Sequence, residues 1–275
     1  MAFEITTNEA RQYQVDGFFV RESAFTAAEV AELRGAAEHT AEAAAAGSGA
    51  GRAYLLDGNR FVDFDHVTVQ FEHSPGSDTV RVVEPAHPFD TRWEALIDDA
   101  RIVAPMRGLI GSERVALWTD KLNLKRPREG SGFGWHQDSP YWMHDCGHVD
   151  LLPNVFLALD AASEANGCIR IIRGSHLEGC LPGISNGSQL GGFFTDPQRF
   201  DVSRQALLEV PAGSLVFFNP HAVHGSLPNR SDQPRRAIIL TYQPGDNPML
   251  KSGRVRNAGK AGESGAAASG EHHES

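Results

Sequence analysis

From residue 115 onward the chain is a succession of short β-branched or alternating runs, and that pattern limits the fold more than any other feature. The runs cover 115–124, 149–159, 168–172, 215–218 and 237–242, and Gly, Pro, Asn or Asp punctuates the intervals between them. Many short strands of this kind specify a β-sandwich or barrel. Shorter β-like runs lie earlier, at 53–56 and 67–71. The first 45 residues read as helical around a short strand at 17–20. Thr26 and Glu29 form a capping box there, with Val30, Leu33, Ala36 and Ala37 behind it at helical spacing,. Gly47 to Gly51 is expected to break the chain as a loop, and 91–110 to form a second helix bent at Pro105,. At 275 residues with 41% hydrophobic side chains, the chain suits a single domain. That domain is expected over 1–251. The Gly-, Ala- and Ser-rich 252–275 is expected to be a disordered tail.

A formal charge of −10 argues against a nucleic-acid partner, because phosphate backbones recruit basic surfaces. No run approaches the roughly 18 apolar residues that span a bilayer, and no basic-then-apolar leader opens the chain. Cys146, Cys168 and Cys180 are an odd count without CxxC spacing, which points to neither a disulfide framework nor a thiolate site. The expected address is the cytoplasm.

The chemistry concentrates at Trp135-His136-Gln137-Asp138. On an extended strand His136 and Asp138 share a face and can hold one ion. His224 follows the run 215–218 and supplies a third ligand. Two histidines and one carboxylate leave three adjacent positions open, the arrangement of non-haem Fe(II) oxygenases. Those positions suit 2-oxoglutarate, chelating through its C1 carboxylate and keto oxygen, together with O2. The far carboxylate of 2-oxoglutarate requires a buried cation. Arg235, eleven residues after His224, offers a bidentate fork, and Ser226 offers a hydrogen bond. Strand alternation turns only one of Arg235 and Arg236 inward.

These residues resemble the phytanoyl-CoA dioxygenase family of Fe(II)/2-oxoglutarate oxygenases over about residues 10 to 256. The matching motifs are Asp16-Gly17-Phe18-Phe19-Val20, His136-Gln137-Asp138, Asn166-Gly167-Cys168, Gly174-Ser175-His176, His224-Gly225-Ser226 and Pro234-Arg235, in that order. The resemblance implies a mostly β fold, a double-stranded β-helix (a cupin-like jelly roll) with N-terminal and flanking helices. It also implies that Asn123 binds the 2-oxoglutarate C1 carboxylate and that Phe156 lies beside the co-substrate. Members usually read Pro-Gly-Ser-His where this chain has Arg173-Gly174-Ser175-His176, and Arg170 stands in a strand that is usually apolar. Asp138 is retained, whereas related halogenases carry Gly or Ala in its place.

Each assignment has a competitor. His148 and Asp150 form a second His-x-Asp, alternatively the lip of the substrate opening. His221 competes with His224, while His176 reads as tying a turn. Lys121 is either an edge-strand charge or a pocket residue. Trp142 is the aromatic best placed to touch a small-molecule substrate, and Arg170 or Arg173 is expected to line the cavity as an anion anchor or else to lie in outer ion pairs. Secondary-metabolite tailoring is preferred over a CoA thioester. A cupin-like binding protein with a vestigial metal site leaves the intact set of four residues unused. A zinc hydrolase leaves Arg235 without a purpose.

Overall fold

In the computed structural model, which describes residues 3–259, helix α1 (Thr7–Asp16) runs from a Thr6/Glu9 capping box to Gly17. Gly17 has a left-handed φ of 87°, and a Cβ there would stand 2.6 Å from Nδ1 of His176. Only glycine meets both conditions. Strand β1 (Phe18–Arg21) and helix α2 (Ala27–Ser48) follow. The Thr26/Glu29 capping box is present, and Val30, Leu33, Ala36 and Ala37 are buried as their spacing predicts. Since α2 continues to Ser48, the loop expected over 47–51 shrinks to a turn at its end. Removing the cap hydroxyl in Thr26→Ala is expected to cost about 1 kcal/mol. The urea midpoint reports this, and an unmoved midpoint would show that the cap contributes nothing.

Strands β2 (Arg52–Leu56), β3 (Asn59–Phe64), β4 (Val67–Phe71) and β5 (Val80–Glu84) form an antiparallel meander. The single helix expected over 91–110 is two, α3 (Thr91–Ile97) and α4 (Ala100–Ile110). The break falls at Asp98 and Asp99, where Asp99 caps α4 by accepting the Arg101 N–H at 2.8 Å. Pro105 lies inside α4 without ending it.

Next come β6 (Val115–Lys125), β7 (Phe133–His136), the one-turn helix α5 (Ser139–Trp142), β8 (Asn154–Ala158) and β9 (Ile169–Ile172). Then follow β10 (Gln205–Leu207), β11 (Leu215–Phe218), β12 (His224–Ser226) and β13 (Arg235–Pro244). The expected strand at 149–159 is shorter because 149–151 forms a 3-10 turn and Pro153 precedes β8.

One sheet has the order β1-β11-β8-β13-β6-β5-β4-β3-β2 and the other β10-β9-β12-β7. The eight strands from β6 to β13 thus divide into β6, β8, β11, β13 facing β7, β9, β10, β12. This is the double-stranded β-helix, with the meander β2–β5 widening the larger sheet. One apolar core lies between that sheet and the helices, and includes Leu33, Trp93, Leu117, Ile238 and Leu240. A second lies between the two sheets and includes Phe156, Ile169, Ile171, Phe218 and Ala237.

The tail boundary expected at 252 is too early. Strand β14 (Asn257–Ala258) pairs with β6, and Arg256 hydrogen-bonds Glu94 and Asp98. Ion pairing and backbone pairing hold this segment, together with the burial of Ala258 in the core. Residues 260–275 lie outside the described residues. No described helix is long and apolar enough to cross a membrane.

Candidate metal centre

Because β7 and β12 are neighbours, His136 and His224 are direct cross-strand partners, with ring centroids 4.1 Å apart. Asp138 lies beyond the end of β7, as the residue before α5 with φ −80° and ψ −31°. The strand-alternation argument for the His-x-Asp spacing is therefore corrected: a turn, not a pleat, brings the carboxylate round. Gln137 fixes that turn. Its buried amide donates to the carbonyls of Gly179 and His221 at 2.7 and 2.6 Å and accepts from Leu181 N–H at 2.8 Å. Possible ligand atoms of His136, Asp138 and His224 all lie within 4.8 Å of one another.

Each ring's orientation is set by the carbonyl two residues before it. His136 Nδ1 is 2.8 Å from Gly134 O and His224 Nδ1 is 3.0 Å from Ala222 O. A carbonyl only accepts, so both Nδ1 atoms carry a proton, and in the neutral ring that tautomer leaves the lone pair on Nε2. Desolvation, followed by the nearby His224, lowers the His136 pKa to about 3, so the ring presents no competing proton. Asp138 Oδ2 accepts from Asn154 Nδ2 at 2.9 Å, and Asn154 Oδ1 accepts from Thr241 Oγ1 at 2.6 Å. Replacing Asn154 with Leu releases Asp138, and iron affinity is expected to fall ~10–100-fold, as for other lost outer hydrogen bonds. Competition against a chelator measures this, and unchanged affinity would remove Asn154 from the support.

The competing ligands are engaged elsewhere. His221 lies between Ser139 Oγ at 2.8 Å and Asp150 at 2.7 Å. His148 Nε2 meets Gln243 at 3.0 Å. His176 ties the turn after β9 to α1 through Gln14 O at 3.2 Å.

Two cavities meet at the triad. The inner one is bordered by Asn123, Phe156, His224, Ser226 and Arg235. On β13, Arg235, Ala237 and Ile239 pair with Lys125, Asn123 and Lys121 of β6, so these alternate positions share the interior face. Arg235 is buried, and Arg236 points the other way into Asp160 and Glu38 at 2.8 and 2.9 Å. Arg235 Nε donates to Gly167 O at 3.2 Å, while its two terminal nitrogens make no hydrogen bond among the described residues. Gly167 also has a positive φ, and a Cβ there would collide with Leu227 O at 2.3 Å. Burial lowers the Arg235 pKa to about 10, which leaves it charged at neutral pH. Asn123 Oδ1 is buried without a partner. The unpartnered guanidinium nitrogens fit a carboxylate of a small dicarboxylate, and the His-His-Asp donor set fits Fe(II).

The outer cavity, about 420 Å³, opens onto His136 and Asp138 and is walled by Tyr54, Phe61, Tyr141, Trp142 and Phe194. Lys121 borders both cavities and lies 3.8 Å from Glu84, so it is a pocket residue and not an edge charge. Arg170 and Arg173 border neither, which corrects the expected anchor. Arg170 stacks over Trp135 at 4.4 Å, and Arg173, just past the end of β9, pairs with Asp16 at 3.0 Å. Arg81 and Glu84 of β5 line the cavity instead. The sequence reading missed them, although a charge inside Val80-Arg81-Val82-Val83 was a visible signal.

The model of phytanoyl-CoA dioxygenase matches residues 13–237. The chain belongs to the phytanoyl-CoA dioxygenase family. As a member it is a non-haem iron dioxygenase that uses 2-oxoglutarate and O2. It is 30% identical over 254 residues to a probable alpha-ketoglutarate-dependent hypophosphite dioxygenase of Stutzerimonas stutzeri, covering 89% of this chain and 81% of that one. It is 28% identical over 185 residues to the L-proline trans-4-hydroxylase of Streptomyces griseoviridis, covering 61% of this chain and 68% of that one. The crystal structure of EctD from S. alaskensis with 2-oxoglutarate and 5-hydroxyectoine shares the fold at a TM-score of 0.65. Its identity is 23%, over 89% of this chain and 78% of that one.

Proposed function

We propose that the chain hydroxylates a small, charged organic molecule held in the outer cavity. Iron would be held by His136, Asp138 and His224. The far carboxylate of 2-oxoglutarate would lie on Arg235 and Ser226, and its C1 end near Asn123 beside Phe156. Iron, 2-oxoglutarate and O2 together supply an oxidant able to insert oxygen into a C–H bond while 2-oxoglutarate loses CO2 to become succinate.

The chain's own residues do the selecting. Arg235 holds the co-substrate from behind, the aromatic wall excludes water, and Trp142 and Lys121 bound the space in which a C–H bond is presented. The observation that carries this reading is the cavity of about 420 Å³ opening onto two members of the triad. Its volume lies toward the lower end of small-molecule sites, ~300–1,000 Å³. The mixture of Lys121, Arg81, Glu84 and Asp145 around aromatic rings favours a compact polar molecule, such as a secondary metabolite, over a CoA thioester. The free thiols Cys146, Cys168 and Cys180 support a cytoplasmic address.

The test is succinate release from a metabolite extract with Fe(II), 2-oxoglutarate and O2, with mass spectrometry of the products. One compound gaining a single oxygen atom, in step with succinate and lost when any of the three is omitted, is the expected result. A desaturated or cyclised product would overturn hydroxylation, and turnover that persists without 2-oxoglutarate would overturn the whole reading.

A further inference from the structure

Among the described residues two arginines are buried with no carboxylate oxygen within 4 Å, Arg235 and Arg81. Arg235 is 2% exposed and Arg81 5%, whereas the arginines of the ion pairs are more exposed. Burying a charge is costly unless something compensates it. A lysine escapes by shedding its proton, as Lys125 does: burial, then Arg235 and Arg81, lowers its pKa to about 6. Arginine has no such exit, and burial brings Arg81 down only to about 10. Arg81 is therefore a cation at neutral pH that feels the buried Glu72 carboxylate without pairing with it, and has no carboxylate in contact.

The backbone aims it at the cavity. Strand β5 pairs Val82 with Gln70 and Val80 with Phe71, so Arg81 is the extra residue of a β-bulge. Without that bulge Arg81 would face the same way as Val83, into the core beneath the helices. With it, Arg81 lines the outer cavity beside Val82 and Glu84. Bulges near active sites re-aim side chains in this manner. The guanidinium lies 3.8 Å over the Phe133 ring. Its NH2 donates to Gly132 O at 2.6 Å, its NH1 reaches Gln70 Oε1 at 3.4 Å, and its Nε has no partner. Ring and carbonyl fix the plane of the fork, and the long NH1 contact leaves a donor to spare.

We infer that Arg81 anchors an anionic group of the substrate, a carboxylate or a phosphonate, and so orients the C–H bond to be oxidised. Lys121, held by Glu84 at 3.8 Å, stands in the same cavity as a weaker second cation. This inference rests on the outer cavity being the substrate site, and it narrows the substrate to small anions and zwitterions.

The probes are methylphosphonate and L-proline, each beside a counterpart without the anion, dimethyl methylphosphonate and L-prolinamide. Calorimetry is done without O2 on protein loaded with Fe(II) and 2-oxoglutarate. The wild type is expected to prefer at least one anion over its counterpart by about 10–100-fold, as for hydrogen bonds to a charged group. Methylphosphonate alone responding marks a phosphonate site, and L-proline alone a carboxylate site. Arg81→Met should abolish the preference, and Arg81→Lys should reduce it without abolishing it, since a point charge replaces the fork. Binding of 2-oxoglutarate by each variant reports that the site is folded, and if Arg81→Met fails that check, the Lys variant decides. The inference is overturned if neither anion is preferred, if the preference survives in Arg81→Met, or if it is lost in Lys121→Met alone. Failure of the wild type to bind 2-oxoglutarate with Fe(II) would instead overturn the functional reading itself.

Discussion

Arg235→Gln is expected to raise the 2-oxoglutarate concentration needed for succinate release by about 100-fold or more, while iron affinity stays as it is. Arg235 faces the inner cavity, and its only hydrogen bond among the described residues uses Nε. The two terminal nitrogens are left for a carboxylate, the bidentate geometry in which arginine exceeds every other side chain. Breaking a buried ion pair costs roughly 3–5 kcal/mol because the surviving charge is left without compensation. At about 1.4 kcal/mol per factor of ten, that is two to three orders of magnitude. Glutamine keeps one donor and loses the charge. Iron affinity, measured by chelator competition, separates this from general damage. An unchanged 2-oxoglutarate requirement would take Arg235 out of its role.

Asp138→Asn should lower iron affinity at least ~100-fold, beyond the ~10–100-fold cost of losing an outer hydrogen bond to a ligand. The substitution removes the only formal charge among the three donors. It also sets up a conflict that the surroundings do not relieve. Asn154 presents its NH2 to Asp138 at 2.9 Å, and it is held in that orientation because its oxygen accepts from Thr241 at 2.6 Å. The new amide must either face that donor with its own NH2 or turn the NH2 toward the metal, and both choices oppose binding. The protein should remain folded, since the amide keeps the size and shape of the carboxylate it replaces. Wild-type iron affinity in this variant would mean that another carboxylate serves.

How far the sequence revealed this arrangement depends on the kind of signal each residue carried. His136, Asp138 and His224 were legible because donor identity, chain order and the flanking Gly225-Ser226 and Pro234-Arg235 combined. The route by which Asp138 arrives was not, since the turn after β7 is set by Gln137 reaching across to 179–181 and 221, contacts distant in sequence. The inward choice of Arg235 over Arg236 was undecidable from alternation alone. It follows from the registry of β13 with β6 and from Asp160 and Glu38 waiting on the other face. Strands β10 and β12 escaped notice because three residues such as His224-Gly225-Ser226 carry no periodicity. Arg170 misled because alternation fixes which residues share a face but not which face is inside, and Arg173 because β9 ends at Ile172 and alternation no longer applies to it. The charge of Arg81 was visible, but its direction was hidden by the bulge, which breaks the same rule.

The measurement that tests the central claim most directly is a crystal structure grown without O2 in the presence of Fe(II) and 2-oxoglutarate. It should show one ion held by Nε2 of His136, Nε2 of His224 and the Asp138 carboxylate at about 2.0–2.2 Å, the range for such donors. The far carboxylate of 2-oxoglutarate should lie on Arg235. An ion held by His148, Asp150 or His221, or a 2-oxoglutarate whose carboxylate avoids Arg235, would contradict the account.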